Sequence, residues 1–191
     1  RRRRTPQYRE DTLIHRLQRH RPHQKLAALG PRENAMTTKS IERWDQLHAE
    51  LSMRLVELVN CTPVADTKLL PRQPGIYLFT EEGKHLYVGR TRRLRGRVRG
   101  HSKPTSRTNQ AHFAVHLARE TYQMEYGEAP KKPFRDHTEF QRHFAAAKQR
   151  IEAMDVRYVL TPPSSMDALQ AVLEIYVALE LKARYNDFGT H

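Results

Sequence analysis

A chain of 191 residues is long enough for one domain with its own core and an appendage. Its formal net charge of +13 raises the odds of a polyanionic partner, most simply nucleic acid, with a solubilising surface charge as the bland competitor. A single cysteine, Cys61, excludes an internal disulfide and a cysteine-based zinc site, and it fits a reducing, cytoplasmic compartment.

Residues 1–35 carry ten Lys and Arg against three acidic residues and few large aliphatics, which predicts a disordered or briefly helical segment. Met36-Thr37-Thr38-Lys39 looks like a start, so the favoured expectation is a leader without a role. The alternative is a basic arm that grips phosphate. No secretory signal is expected, because the basic residues have no apolar run beside them. Ile41–Val59 reads as an amphipathic helix, with Ile41, Trp44, Leu47, Leu51, Leu55 and Leu58 on one stripe and Ser40 as its cap. Trp44 on that stripe is expected in the core rather than stacked on a base. Three prolines make 60–74 a connector.

Two strand-like runs come next, Gly75–Thr80 and His85–Thr91, around the loop Glu81-Glu82-Gly83. A three-residue loop sets Tyr77 opposite Tyr87 and Leu78 opposite Leu86. Ile76, Leu78, Leu86 and Val88 then share one face, and the two tyrosines share the other. Gly75 and Gly89, on the tyrosine face, leave room for a backbone to approach. The next helix places Arg93, Arg97 and His101 on one stripe and Leu94 and Val98 on the docking stripe. Gly96 and Gly100 inside it each cost about 1 kcal/mol relative to Ala, which points to close helix packing or close approach of a ligand. Helical patterns recur through Phe113–Tyr122 and Glu139–Met154, separated by the loop 126–137. Val156–Leu160 reads as a third strand. Ser164-Ser165-Met166-Asp167 resembles a capping box that opens a helix over 165–182. Its longest apolar stretch, Ala168–Leu181, is broken by Gln170, Glu174 and Glu180 and is too short to span a membrane.

Gly75-Ile76-Tyr77, ten residues from Tyr77 to Tyr87, then Tyr87-Val88-Gly89 and an arginine, Arg97, ten residues further on resemble the core of the GIY-YIG nucleases. In that family a Glu on a later helix and an Asn near the domain end complete the site, and Glu174 and Asn186 stand at those places. The resemblance covers roughly 71–101 and 153–188. It implies a small α+β fold, a three-stranded, mostly antiparallel sheet flanked by helices. It also implies a metal-dependent endonuclease acting on DNA, with Mg²⁺ or Mn²⁺ as cofactor. Residues 106–152 exceed the compact members of the family and read as an inserted helical pair, within a domain spanning 71–191 that follows an N-terminal helix and connector over 36–70.

Phosphodiester hydrolysis needs a deprotonated nucleophile, charge compensation at phosphorus and help for the leaving oxygen. Glu174 beside apolar neighbours needs a partner; as the lone protein ligand of Mg²⁺ it suits an ion that keeps its waters, against the bland reading of a surface Glu. Arg97 matches phosphate oxygens with a fork of donors. Tyr77 and Tyr87 are candidates for general base and positioning donor, with cross-strand packing as the alternative and the choice of base left open. His101 is a candidate to orient or deprotonate water, or else an exposed histidine at a helix end. Asn186 supports the site or caps the chain end. Gly89, Arg90 and Arg93 are the expected nucleic-acid contacts. His112, His116 and Glu120 share a stripe that zinc would accept, but a solvated stripe is the stronger reading. Two competing classes stand beside the nuclease: a nucleic-acid-binding module whose site has lapsed, and an interaction protein using the inserted helices, which predicts no salt-dependent nucleic-acid binding.

Overall fold

The computed structural model describes residues 31–131, 133–134, 137–161, 168–186 and 188, with side chains from 37 onward. The capping box at 164–167 lies outside them, as do residues 1–30 of the basic segment. The chain divides between Gln46 and Leu47 into two units. In the first, Trp44 is 62% exposed, which corrects its assignment to the core. Helix α1 spans Pro31–Asn60 and so begins well before Ser40. Proline at a first helical position has its missing N–H where no partner is needed.

In the second unit β1 (Gly75–Glu81), β2 (Lys84–Thr91) and β3 (Asp155–Leu160) form an antiparallel sheet in the order β2-β1-β3. The fold is α+β, as expected. α2 (Leu94–Ser102), α3 (His112–Tyr126), α4 (Thr138–Glu152) and α5 (Ala168–Glu180) complete it. Central β1 is buried on both faces: Ile76, Tyr77, Leu78 and Phe79 are all but inaccessible. Alternation sends Ile76 and Leu78, with Val88 and Val159, into one core against Leu51, Leu55 and Leu58 of α1 and Leu173 and Val177 of α5. Tyr77 and Phe79 enter the other core with Leu94, Val98, Phe113, Phe140 and Ile151 from α2, α3 and α4.

The hairpin departs from the expected register. Its turn has two residues, Glu82 and Gly83, both at positive φ (50° and 77°), the combination a tight primed turn requires. A bulge between Phe79 and Thr80 then sets Phe79 opposite Tyr87, Leu78 opposite Val88 and Tyr77 opposite Gly89. A bulge adds one residue to one strand and flips the side chains beyond it to the other face, so Leu86 joins the tyrosine side of the sheet rather than Ile76 and Leu78. Tyr77 and Tyr87 still share a face, one step offset.

Candidate active site

Tyr77 owes its place to Gly89. A Cβ on Gly89 would lie 2.3 Å from Cζ and Oη of the Tyr77 ring. The glycine therefore makes room for a phenol and is buried beneath it, not open to a ligand. Gly75 has a different tenant: a Cβ there would meet the Val159 carbonyl at 2.4 Å, so its bareness serves the β1–β3 pairing.

The Tyr77 hydroxyl shares a 2.8 Å hydrogen bond with His101 Nε2. His101 does not sit exposed at a helix end. Leu94, Val98 and His101 are the buried residues of α2, and the imidazole is enclosed by Phe79, Tyr87 and Phe113. Positions i, i+4 and i+7 lie on one helix face, so the stripe that docks Leu94 also carries the histidine inward. Burial pulls its pKa down to about 3, helped by the positive charge of Arg97. A neutral imidazole has one donor and one acceptor nitrogen; Nε2 is used, and Nδ1 is buried without a partner among the described residues.

Burial raises the Tyr77 pKa, and the neighbouring Tyr87 phenol adds to the rise while Arg97 opposes it. Tyr87 is half-buried, with its ring stacked on Phe113 at 4.8 Å and 10°. Its pKa is also raised, first by burial; Arg97 opposes the rise and Glu174 adds to it. The Arg97 guanidinium faces both phenols, which outweigh the cost that burial puts on its charge. Its Nη1 donates to the Gln110 carbonyl at 2.9 Å. Phe113 and the Gln110 carbonyl are thus parts of the site that residue patterns did not single out. Phe113 reads as an ordinary core residue of an amphipathic helix, and a backbone carbonyl leaves no signal in a sequence.

Glu174 projects from α5 to the outer edge of β2. Its Oε1 accepts from the Arg90 amide at 3.2 Å and its Oε2 from Arg90 Nε at 2.9 Å. Arg90, expected among the nucleic-acid contacts, is therefore also the carboxylate's partner. Burial raises the Glu174 pKa, while Arg90 and then Arg97 oppose the rise. Among the described residues Glu174 is the one carboxylate whose charge reaches both phenols. No group of three or more His, Cys, Asp or Glu stands together there, so a cation at this centre would have Glu174 as its one side-chain carboxylate. The donor chemistry fits: each carboxylate oxygen gives one lone pair to Arg90 and keeps another, and Mg²⁺ accepts a single carboxylate with waters filling its octahedron.

Asn186 stands apart from this cluster. Its Oδ1 accepts from Val88 N at 2.7 Å and its Nδ2 donates to Val88 O at 2.8 Å, which ties the chain end to β2. His112, His116 and Glu120 do not assemble: His112 Nε2 contacts the Asn109 carbonyl, and Glu120 binds Arg184 and the Tyr185 hydroxyl. Arg93 is exposed and lines a groove of about 1120 Å³ beside α2.

Among the described residues no helix is long and apolar enough to cross a membrane. No protein-family model matches the chain, and neither does any curated protein. Among solved structures the chain is similar to the GIY-YIG N-terminal endonuclease domain of UvrC from Thermotoga maritima, a point mutant bound to its catalytic divalent cation. The two share 16% identity over 63% of this chain and 90% of that one, with a TM-score of 0.34.

Proposed function

We propose that the protein is a divalent-cation-dependent endonuclease that hydrolyses phosphodiester bonds, with DNA as its substrate. The observation that supports this most is one centre in which Arg97 faces Tyr77 and Tyr87 while the charge of Glu174 acts on all three. Arg97 offers its donor fork to the scissile phosphate, where negative charge builds in the transition state. Tyr87 is the phenol that substrate can reach, since Tyr77 is fully buried. Tyr77 and His101 Nε2 share a hydrogen bond, so His101 acts as a positioning residue that holds Tyr77 beside Arg97. A cation held by Glu174 supplies positive charge to the phosphate and offsets the carboxylate's upward push on both phenols. Asn186 supports the centre through β2. The helices within 106–152 are an insertion in a nuclease domain spanning 71–191, preceded by an N-terminal helix and connector over 36–70. Cys61, a free cysteine, suits a cytoplasmic protein.

Nicking of plasmid DNA in Mg²⁺ or Mn²⁺ tests the reading. Cleavage is expected to vanish in EDTA and to fall by at least about 100-fold in Arg97→Ala, the scale of losing one preorganised charge donor. Cleavage that persists in EDTA sinks the cation dependence. A second reading, a binding module with lapsed chemistry, draws on the engagement of both Glu174 oxygens by Arg90. It predicts salt-dependent binding with no nicking under any metal.

A further inference from the structure

The groove beside α2 is walled by the helix on one side and by the loop 103–110 on the other. Arg72, Arg93, Arg99, Lys103 and Arg107 line it together with Arg97, and among the described residues no acidic side chain does. Among the described residues, none of the first five is in an ion pair. Unneutralised cations gathered along one concave surface are the footprint of a phosphate-bearing ligand.

The floor is glycine. A Cβ on Gly96 or Gly100 would meet nothing within 4 Å among the described residues, so neither glycine is there to admit a packed neighbour. What the two missing side chains leave is a low, open strip along α2 between the arginines, and that strip is where a bulky ligand would approach the helix. The far wall is fixed from below by Lys148, a buried lysine. Its Nζ donates to the carbonyls of Pro104 at 2.6 Å and Ser106 at 3.4 Å, and it lies over the Phe144 ring at 4.6 Å. Burial lowers its pKa. An uncomfortable buried cation here holds the loop that carries Lys103 and Arg107.

Among the described residues no aromatic side chain lines the groove. Sites for single strands stack bases on aromatic rings, whereas phosphate contacts position a duplex without reading its sequence. We propose that this groove seats the sugar–phosphate backbone of a nucleic-acid duplex, bound through phosphates over the glycine strip and delivered to Arg97 without base readout. The assignment rests on the nuclease reading for the chemistry at Arg97, but the binding itself does not depend on cleavage.

The test is fluorescence anisotropy on the full chain in EDTA, with duplexes of two unrelated sequences, in DNA and RNA, and the matching single strands, across a salt series. Wild type is expected to bind both sequences alike, to prefer duplex over single strand, and to weaken steeply with salt. The DNA and RNA arms show which duplex the groove prefers. Gly96→Leu with Gly100→Leu raises the floor without changing charge, and duplex affinity is expected to fall at least about tenfold while the thermal midpoint holds or rises. Arg99→Gln with Arg107→Gln is expected to lower affinity and flatten the log–log salt slope by about 2, near 0.9 for each phosphate no longer neutralised. Both pairs binding like wild type would overturn the assignment, as would tighter binding of single strands or affinity that tracks sequence. Because no arm contains metal, a failure to cleave DNA leaves every one of these outcomes unchanged.

Discussion

At the scale of single residues the centre is governed by two choices, a bare Cα at position 89 and an imidazole at 101. Gly89→Ala would drive a methyl into the Tyr77 ring, whose hydroxyl is already held by His101. The expected cost is about 1–3 kcal/mol, typical of overpacking, read as a lower denaturant midpoint together with lost activity. His101 remains neutral in the fold down to about pH 3, whereas in the unfolded chain it titrates near its ordinary 6.5. Between those values the unfolded state binds the extra proton. Its contribution is therefore complete above pH 6.5 and declines as pH falls, by about 2 kcal/mol between pH 7 and pH 5. Glu174, with its raised pKa, works in the opposite direction around its own ordinary range, and His85, lowered by burial, works in the same one as His101. His101→Phe is expected to flatten the acid loss seen in urea midpoints; an unchanged pH dependence would mean that His101 is not what acid attacks. The two tyrosines, Arg97 and Glu174 were legible from spacing and resemblance. The burial of His101 was legible too, since it comes from the Leu94–Val98 stripe, but a polar residue at a helix end invites the solvent-facing reading.

At the scale of elements the exposed edge of β2 is the feature that needs management, because an unpaired strand edge invites pairing with other chains. Alternate residues of β2 turn their backbone groups outward, and each finds a partner from the end of the chain. Leu86 O accepts from Tyr185 N at 2.9 Å, Val88 is bracketed by the Asn186 amide, and the Arg90 amide is taken by Glu174. The carboxylate therefore serves the edge of the sheet as well as the centre. Asn186→Ala is expected to cost about 1–3 kcal/mol, the penalty for stranding a part-buried donor and acceptor. Asn186→Asp is expected to cost more, since a carboxylate keeps the bond to Val88 N but repels Val88 O. Equal stability of all three forms in a thermal melt would show the clamp to be incidental. Gly100→Ala in α2, with open space above it, is expected to stabilise by about 1 kcal/mol. The order and type of these elements could be read from periodicity. The register could not, because a two-residue turn and a bulge move every facing pair while leaving the apolar pattern intact.

At the scale of the whole molecule, helices on both faces of a three-stranded sheet divide labour. α1 and α5 bury one face with Ile76, Leu78 and Val88. α2, α3 and α4 bury the other, with Phe113 stacked on Tyr87 and the Gln110 carbonyl accepting from Arg97. The span 106–152 was legible as two helices but not as part of the centre, since its contributions are a backbone carbonyl, a core aromatic and a loop anchored by Lys148. Everything functional turns on Glu174 acting as a cation ligand and not merely as the partner of Arg90. The direct measurement is a paired assay of Glu174→Ala: plasmid cleavage in Mg²⁺ or Mn²⁺ alongside duplex binding by anisotropy. Cleavage is expected to disappear while affinity stays within about threefold of wild type. Cleavage that survives without this carboxylate would rule out Glu174 as the cation's ligand.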